Sequence, residues 1–249
     1  MKRKLLLIIT LSSFVFLSDD YKTEKQVIDL LENIVSEYQR NLSFSLLINN
    51  EQLKGEIDIE MAWVNDSSVF RKTKLDFIDG LDYSGVAWVW SMKKGKDKKW
   101  ITKPSGKKID VTKRKEFDFP VILPDQSMLD GYHSISDTLN YKSHKCAIVD
   151  VFKVSRGKKK GPLRKLWIDI EDGLIYKIEE FDYRKEVVTK ETVMEYFDIS
   201  NSTYKNLEAF PKMIYINDFK NNESSSMQIS DYKIDQEFDL SIFEPVDIK

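Results

Sequence analysis

Leu163-Arg-Lys-Leu-Trp-Ile-Asp-Ile-Glu-Asp-Gly-Leu-Ile-Tyr-Lys-Ile-Glu-Glu-Phe-Asp-Tyr183 decides the fold. Asp172-Gly173 can supply the positive φ that a tight turn demands, and its flanks are rich in Trp, Ile, Tyr and Phe, so the stretch reads as a β-hairpin. The same texture continues through Val187 to Ile199, Phe210 to Phe219, Ser225 to Ile234 and a short close from Asp239 to Pro245. Strand following strand without intervening helical periods predicts an antiparallel meander, and it excludes the βα alternation of a parallel sheet.

Upstream of the hairpin, Cys146 to Val154 reads as strand and Gly157 to Pro162 as the loop that leads into Leu163. Residues 116 to 145 break the pattern. Phe117-Asp-Phe-Pro-Val-Ile-Leu-Pro124 is extended by its prolines, Asp125 can cap a short helix through Met128 and Leu129, and polar loop is expected from there to Ser143. Before this break, strand signals run from Leu42 to Val111. In Glu56 to Val64, Ile57, Ile59, Met61 and Trp63 alternate with Glu56, Asp58 and Glu60, the period of a half-buried strand. Val69 to Ile78 follows a turn-like Asn65-Asp66-Ser67-Ser68, and Val86 to Met92 sets Val86, Trp88, Trp90 and Met92 opposite the smaller Gly85, Ala87, Val89 and Ser91.

One helix precedes these strands. Val27, Leu30, Leu31, Ile34, Val35 and Tyr38 recur at the spacing of a single helical face, and Thr23-x-x-Gln26 has the residues of a capping box. Ahead of it, Lys2-Arg3-Lys4 and the short apolar run Leu5 to Ser18 read as a secretory signal peptide, residues 1–18, cleaved before Asp19. That run is too short to span a bilayer comfortably. A soluble, exported protein of one domain, residues 19–249, is the expectation, because no Pro/Gly/Ser-rich linker divides the chain.

The residues offer little chemistry. His133 and His144 fall in what reads as polar loop, without metal-ligand spacing, and no nucleophile elbow or phosphate-cradling loop is present. The single cysteine, Cys146, lies in an apolar strand, where a thiol is usually a small buried group. No cofactor, no metal and no enzymatic activity are expected. Charged residues make up 32% of the chain, yet the net charge is only −2, because a basic stretch from Lys93 to Lys115 is offset by acidic residues after Asp169. In an exported protein such a stretch is either an ordinary solvated hairpin or a surface for anionic lipid headgroups or acidic protein surfaces, rather than for nucleic acid.

The order of motifs resembles the bacterial outer-membrane lipoprotein-sorting (LolA-like) family, in its larger branch. They are Ser43-Phe-Ser45, Phe70-Arg-Lys72, Asp82-Tyr-Ser-Gly-Val-Ala-Trp-Val-Trp90, Trp100-Ile-Thr-x-Pro-Ser-Gly106, His144-Lys-Cys146, Lys165-Leu-Trp-Ile-Asp-x-Glu-Asp-Gly-Leu174, Phe210-Pro-Lys212 and Phe243-Glu-Pro245. The resemblance implies a mainly β fold: an incomplete antiparallel β-barrel of about eleven strands, covered by the N-terminal helix and a short helical insertion, around an apolar cavity. It implies a monomeric periplasmic carrier of lipoprotein or lipid acyl chains between membrane-bound donor and acceptor proteins. The alternative is a sensing or accessory binding module of an envelope regulator or transporter. Cavity residues are then Ile57, Ile59, Met61, Trp63, Leu75, Phe77, Trp88, Trp90, Met128 and Leu129. Arg71 matches an arginine that controls lid closure in the family; it points inward if Val69, Leu75 and Phe77 do, and outward if Arg71-Lys72-x-Lys74 is an ordinary charged run.

Overall fold

The computed structural model describes residues 23–50, 54–64, 67–77, 87–93, 96–102, 107–110, 112–113, 123–124, 128–155, 158–182, 184, 186–197 and 210–239. The signal segment expected at 1–18, residues 125–127 where the helical insertion is expected to begin, and the close from residue 240 onward lie outside them.

Helix α1 (Glu24–Glu37) forms where the apolar period predicts it. Its capping box is complete: the Gln26 amide donates to Thr23 Oγ1 at 3.4 Å, and the Thr23 amide donates to Gln26 Oε1 at 2.7 Å, so two of the helix's orphan donors are satisfied. Val27, Leu31, Ile34, Val35 and the C-cap Tyr38 are buried.

The strands are β1 (Leu42–Asn50), β2 (Lys54–Val64), β3 (Ser67–Phe77), β4 (Ala87–Lys93), β5 (Lys96–Thr102), β6 (Lys108–Asp110), β7 (Tyr132–Tyr141), β8 (His144–Ser155), β9 (Lys158–Asp169), β10 (Ile175–Asp182), β11 (Val187–Tyr196), β12 (Pro211–Asp218) and β13 (Glu223–Ile234). They make one 13-stranded sheet in the order β6-β5-β4-β3-β2-β1-β13-β12-β11-β10-β9-β8-β7. Two meanders meet at the antiparallel β1–β13 pair, with Ile48 opposite Met227 and Leu46 opposite Ile229. The sheet is not closed: β6 and β7, consecutive in the chain, are its two edges.

Register stacks the core in rows. Val149, Leu166, Ile178, Thr192 and Ile216 lie opposite one another across β8 to β12, and Met194, Ile214, Met227 and Ile48 across β11, β12, β13 and β1. All nine are buried. They share one continuous core with the inner face of α1 and with Ile59 and Met61 of β2.

Three expectations are corrected. Thirteen strands form among the described residues, not about eleven. One of the additions is β7, expected as polar loop; its burial alternates weakly because an edge strand pairs on one side only, here with β8, and tolerates polar residues such as Ser134, Ser136, Asp137 and Asn140. His133 and His144 are therefore strand residues. The loop expected from Gly157 to Pro162 is largely strand, since β9 starts at Lys158. Pro162, which has no amide to give a ladder, sits opposite Phe152 where the β8–β9 register shifts twice.

The Asp172-Gly173 turn forms as read. Gly173 has φ +79°, and a Cβ there would stand 3.0 Å from Leu30 Cβ, so the turn seats directly on helix α1.

Candidate functional site

The inner face has two regions, one on either side of β1. At the C-terminal end of α1, aromatic rings close the core. Tyr38 packs on Phe210 with centroids 4.9 Å apart, Phe210 on Tyr232 at 5.1 Å, and Tyr232 on Phe44 at 5.3 Å and Phe197 at 5.9 Å. Their hydroxyls are answered by backbone: Tyr196 donates to the Ile175 carbonyl and Tyr232 to the Pro211 carbonyl, at 2.8 and 2.9 Å. Burial, and then neighbouring tyrosines, hold the phenols of Tyr38, Tyr196 and Tyr232 well above the usual range. These groups are neutral and satisfied, the chemistry of packing.

Beside them, His144 Nδ1 donates to Asp169 Oδ2 at 2.9 Å, and its ring stacks on Tyr176 at 3.9 Å. Asp169 Oδ1 accepts the Glu171 amide at 2.6 Å, so this carboxylate ties the start of β8 to the β9–β10 turn. Cys146, opposite Asp169 in the ladder, is fully buried, and burial followed by the Asp169 and Asp172 charges pushes its thiol up to about 12. A thiol so protonated is a packing group rather than a nucleophile. Among the described residues no group of three or more His, Cys, Asp or Glu side chains is arranged to hold a metal ion. On the outer face, Lys177 bridges Glu179 of its own strand at 2.7 Å and Glu191 of β11 at 2.8 Å, which pairs two carboxylates that stand opposite each other across the β10–β11 ladder.

Beyond β1 the inner face continues across β2 to β6. Residues directly opposed in neighbouring strands share a sheet face. One row runs Phe44, Ile59, Lys72, Trp88, Ile101, Ile109, and the next Leu42, Met61, Phe70, Trp90, Lys99. Ile59 and Met61 are 0% and 2% exposed, which identifies the core side of these rows. Trp63 is half-buried, two residues further along β2, and its amide donates to Asn41 Oδ1 at 3.1 Å. The register thus brings the positions of Ile59, Met61, Trp88 and Trp90 onto one face, with Ile57 at the next place of the same parity. Phe77 lies opposite Gly55, and Leu75 falls within the register shift between the Glu56–Asp76 and Ile57–Lys74 pairs. Met128 is buried in the core and Leu129 is partly buried against it.

Arg71 is in register with Glu60 and Val89, whereas Ile59 and Met61 are in register with Lys72 and Phe70. Its strand parity is that of the polar alternates of β2. The residues that sequence reasoning passed over are Lys72 and Lys74. Only the β2–β3 register, which lies beyond any period within β3 itself, assigns them to the parity of Ile59 and Ile57.

A family model described as "-like: Uncharacterized protein" matches residues 124–249, just over half of the chain. The chain belongs to that family. No curated protein matches it in sequence. Among solved structures it is similar to a Vibrio parahaemolyticus domain described as outer membrane lipoprotein-sorting, with TM-score 0.62, 13% identity, and 88% of this chain and 95% of that one covered. It is similar to a DUF1329 family protein from Desulfovibrio piger, with TM-score 0.63, 14% identity, and 88% and 96% covered. A LolA superfamily protein from Nitrosomonas europaea gives TM-score 0.59, 16% identity, and 90% and 98% covered. At these identities the likeness is one of fold: the chain has the open, LolA-like β-barrel architecture that its motifs imply. Among the described residues no helix is long and apolar enough to cross a membrane.

Proposed function

We propose that the protein is a non-catalytic periplasmic carrier that holds lipid acyl chains, or a lipoprotein by its acyl chains, against the inner face of β1 to β5 and passes them toward the outer membrane. The observation that carries this is the run of apolar positions across β1, β2, β3 and β4, which continues past the region that α1 and the aromatic cluster fill. An apolar ligand gains affinity there from buried area alone, with a few polar groups to orient it. Ile57, Ile59, Met61, Trp63, Trp88 and Trp90 form the wall in this account, Leu75 and Phe77 extend it, and Met128 and Leu129 close it. The likeness in fold to a domain described as lipoprotein-sorting supports the same class of cargo. A leader at residues 1–18 exports the chain, and a monomer of the mature domain exchanges cargo with membrane-bound donor and acceptor proteins.

Native mass spectrometry of the protein purified from its own cell envelope tests this. Intact lipid or lipoprotein is expected to co-purify, and added lipid should displace a fluorescent apolar probe without chemical change. Protein that carries no lipid and binds no probe would sink the carrier; hydrolysed lipid would move the function to an enzyme.

A further inference from the structure

Lys72 is the third of six positions in a row whose other members are Phe44, Ile59, Trp88, Ile101 and Ile109. Lys74, two residues on and so of the same strand parity, is in register with Ile57. Two cationic positions therefore interrupt the apolar positions of this face.

We propose that the cargo is an acidic amphiphile, with an anionic headgroup that pairs with the ammonium groups of Lys72 and Lys74 and an alkyl chain that lies along the flanking apolar rows. This rests on the carrier function above and names its ligand class. An ammonium group on an apolar surface is costly unless paired, whereas a carboxylate or phosphate brought in by the ligand neutralises it through charge-assisted hydrogen bonds. The lysine stem adds apolar contact of its own, and its compact charge suits a monodentate headgroup oxygen. Lys99, in register with Trp90, places a third cation on the same face, with one carboxylate position, Asp97 opposite Met92, beside it; β5 lies within the basic stretch Lys93 to Lys115, which a negatively charged ligand would meet on approach.

The test uses palmitate, hexadecyl phosphate and hexadecanol, ligands of equal chain length, as competitors for a neutral fluorescent probe on the full chain. The two anions are expected to bind about tenfold more tightly than the alcohol, the scale of one charge-assisted hydrogen bond, and the gap should narrow as salt is raised. Preference for palmitate over hexadecyl phosphate, or the reverse, identifies the headgroup as carboxylate or phosphate and supports the proposal either way. The double variant Lys72→Met/Lys74→Met should lose the preference, and Lys72→Arg/Lys74→Arg should keep it. Lys98→Met is the charge control, because Lys98 is in register with Ser91, at the opposite parity from Trp90. Equal affinity for all three ligands in the parent overturns the acidic cargo while leaving the carrier in place, and this comparison requires no variant to fold. Retention of the preference in the double methionine variant, or its equal loss in Lys98→Met, overturns the assignment to Lys72 and Lys74. Failure of the parent to bind any of the three sinks the apolar cavity itself.

Discussion

At the scale of single residues, burial separates groups that resemble a reactive site from groups that are only packed. Cys146, His144 and Asp169 are neighbours on the β8–β9 ladder, but a fully buried thiol held at about 12 is closed to chemistry. A thiol reagent at neutral pH should label Cys146 only after denaturant is added; stoichiometric labelling of the folded protein would show that this region opens. The buried tyrosines set an alkaline limit. With Tyr38, Tyr196 and Tyr232 raised above the unfolded phenol value of about 10, their contribution is complete below that pH and is lost as pH climbs through the raised folded values. Urea midpoints should hold through neutrality and fall in the alkaline range, with phenolate absorbance from these rings appearing together with unfolding; early, separate titration would contradict it. Arg71 and Lys72 show how far one strand could be read from sequence. Period two within β3 says that adjacent residues face opposite ways, but which of the two faces inward depends on pairing with Glu60 or Ile59 across β2, a relation between strands. Arg71→Leu is expected to leave loading and release of a neutral probe at parental rates, and slower release would instead give Arg71 a part in lid closure.

At the scale of elements, the sequence was most legible where local chemistry is self-contained. Helix α1 starts at Thr23 because its capping partner Gln26 is three residues away, and the hairpin turns at Gly173 because that position needs positive φ. Thr23→Ala should cost about 0.5 to 2 kcal/mol in chemical denaturation, a loss of one cap. Gly173→Ala should cost at least about 1 to 2 kcal/mol, the penalty of a left-handed position for a residue with Cβ, because the new methyl would also press on Leu30 in the helix. A change under a few tenths at Gly173 would mean that the helix moves aside with little resistance. Strand β7 escaped notice for the complementary reason. Its residues pair with β8 alone, so no strict apolar alternation is required of it, and only the ladder from Tyr132–Phe152 to Tyr141–His144 reveals the strand.

At the scale of the whole molecule, two meanders were legible as series of strands, while the join between them was not. Sequence order suggests neighbours in sequence, and β1 with β13 is the pair farthest apart in the chain. That seam is reinforced at the end where β1 begins and β13 stops. Arg40 donates from Nε and Nη2 to the two carboxylate oxygens of Asp235, at 2.9 and 2.8 Å, and from Nη1 to Glu37, while the Asp235 amide donates to the Asn41 carbonyl at 2.8 Å. Arg40→Met should destabilise by no more than about 1 kcal/mol, since the pair is partly exposed, and the loss should shrink further at high salt. The seam also governs the order of events while the chain folds. Strands β2 to β6 can zip onto β1 early, but the opposite edge of β1 stays unpaired until β13 arrives. For that interval the growing chain carries a bare template for other strands, so its yield is set by a race between intramolecular closure and aggregation, and chaperone dependence is a property of where β13 docks.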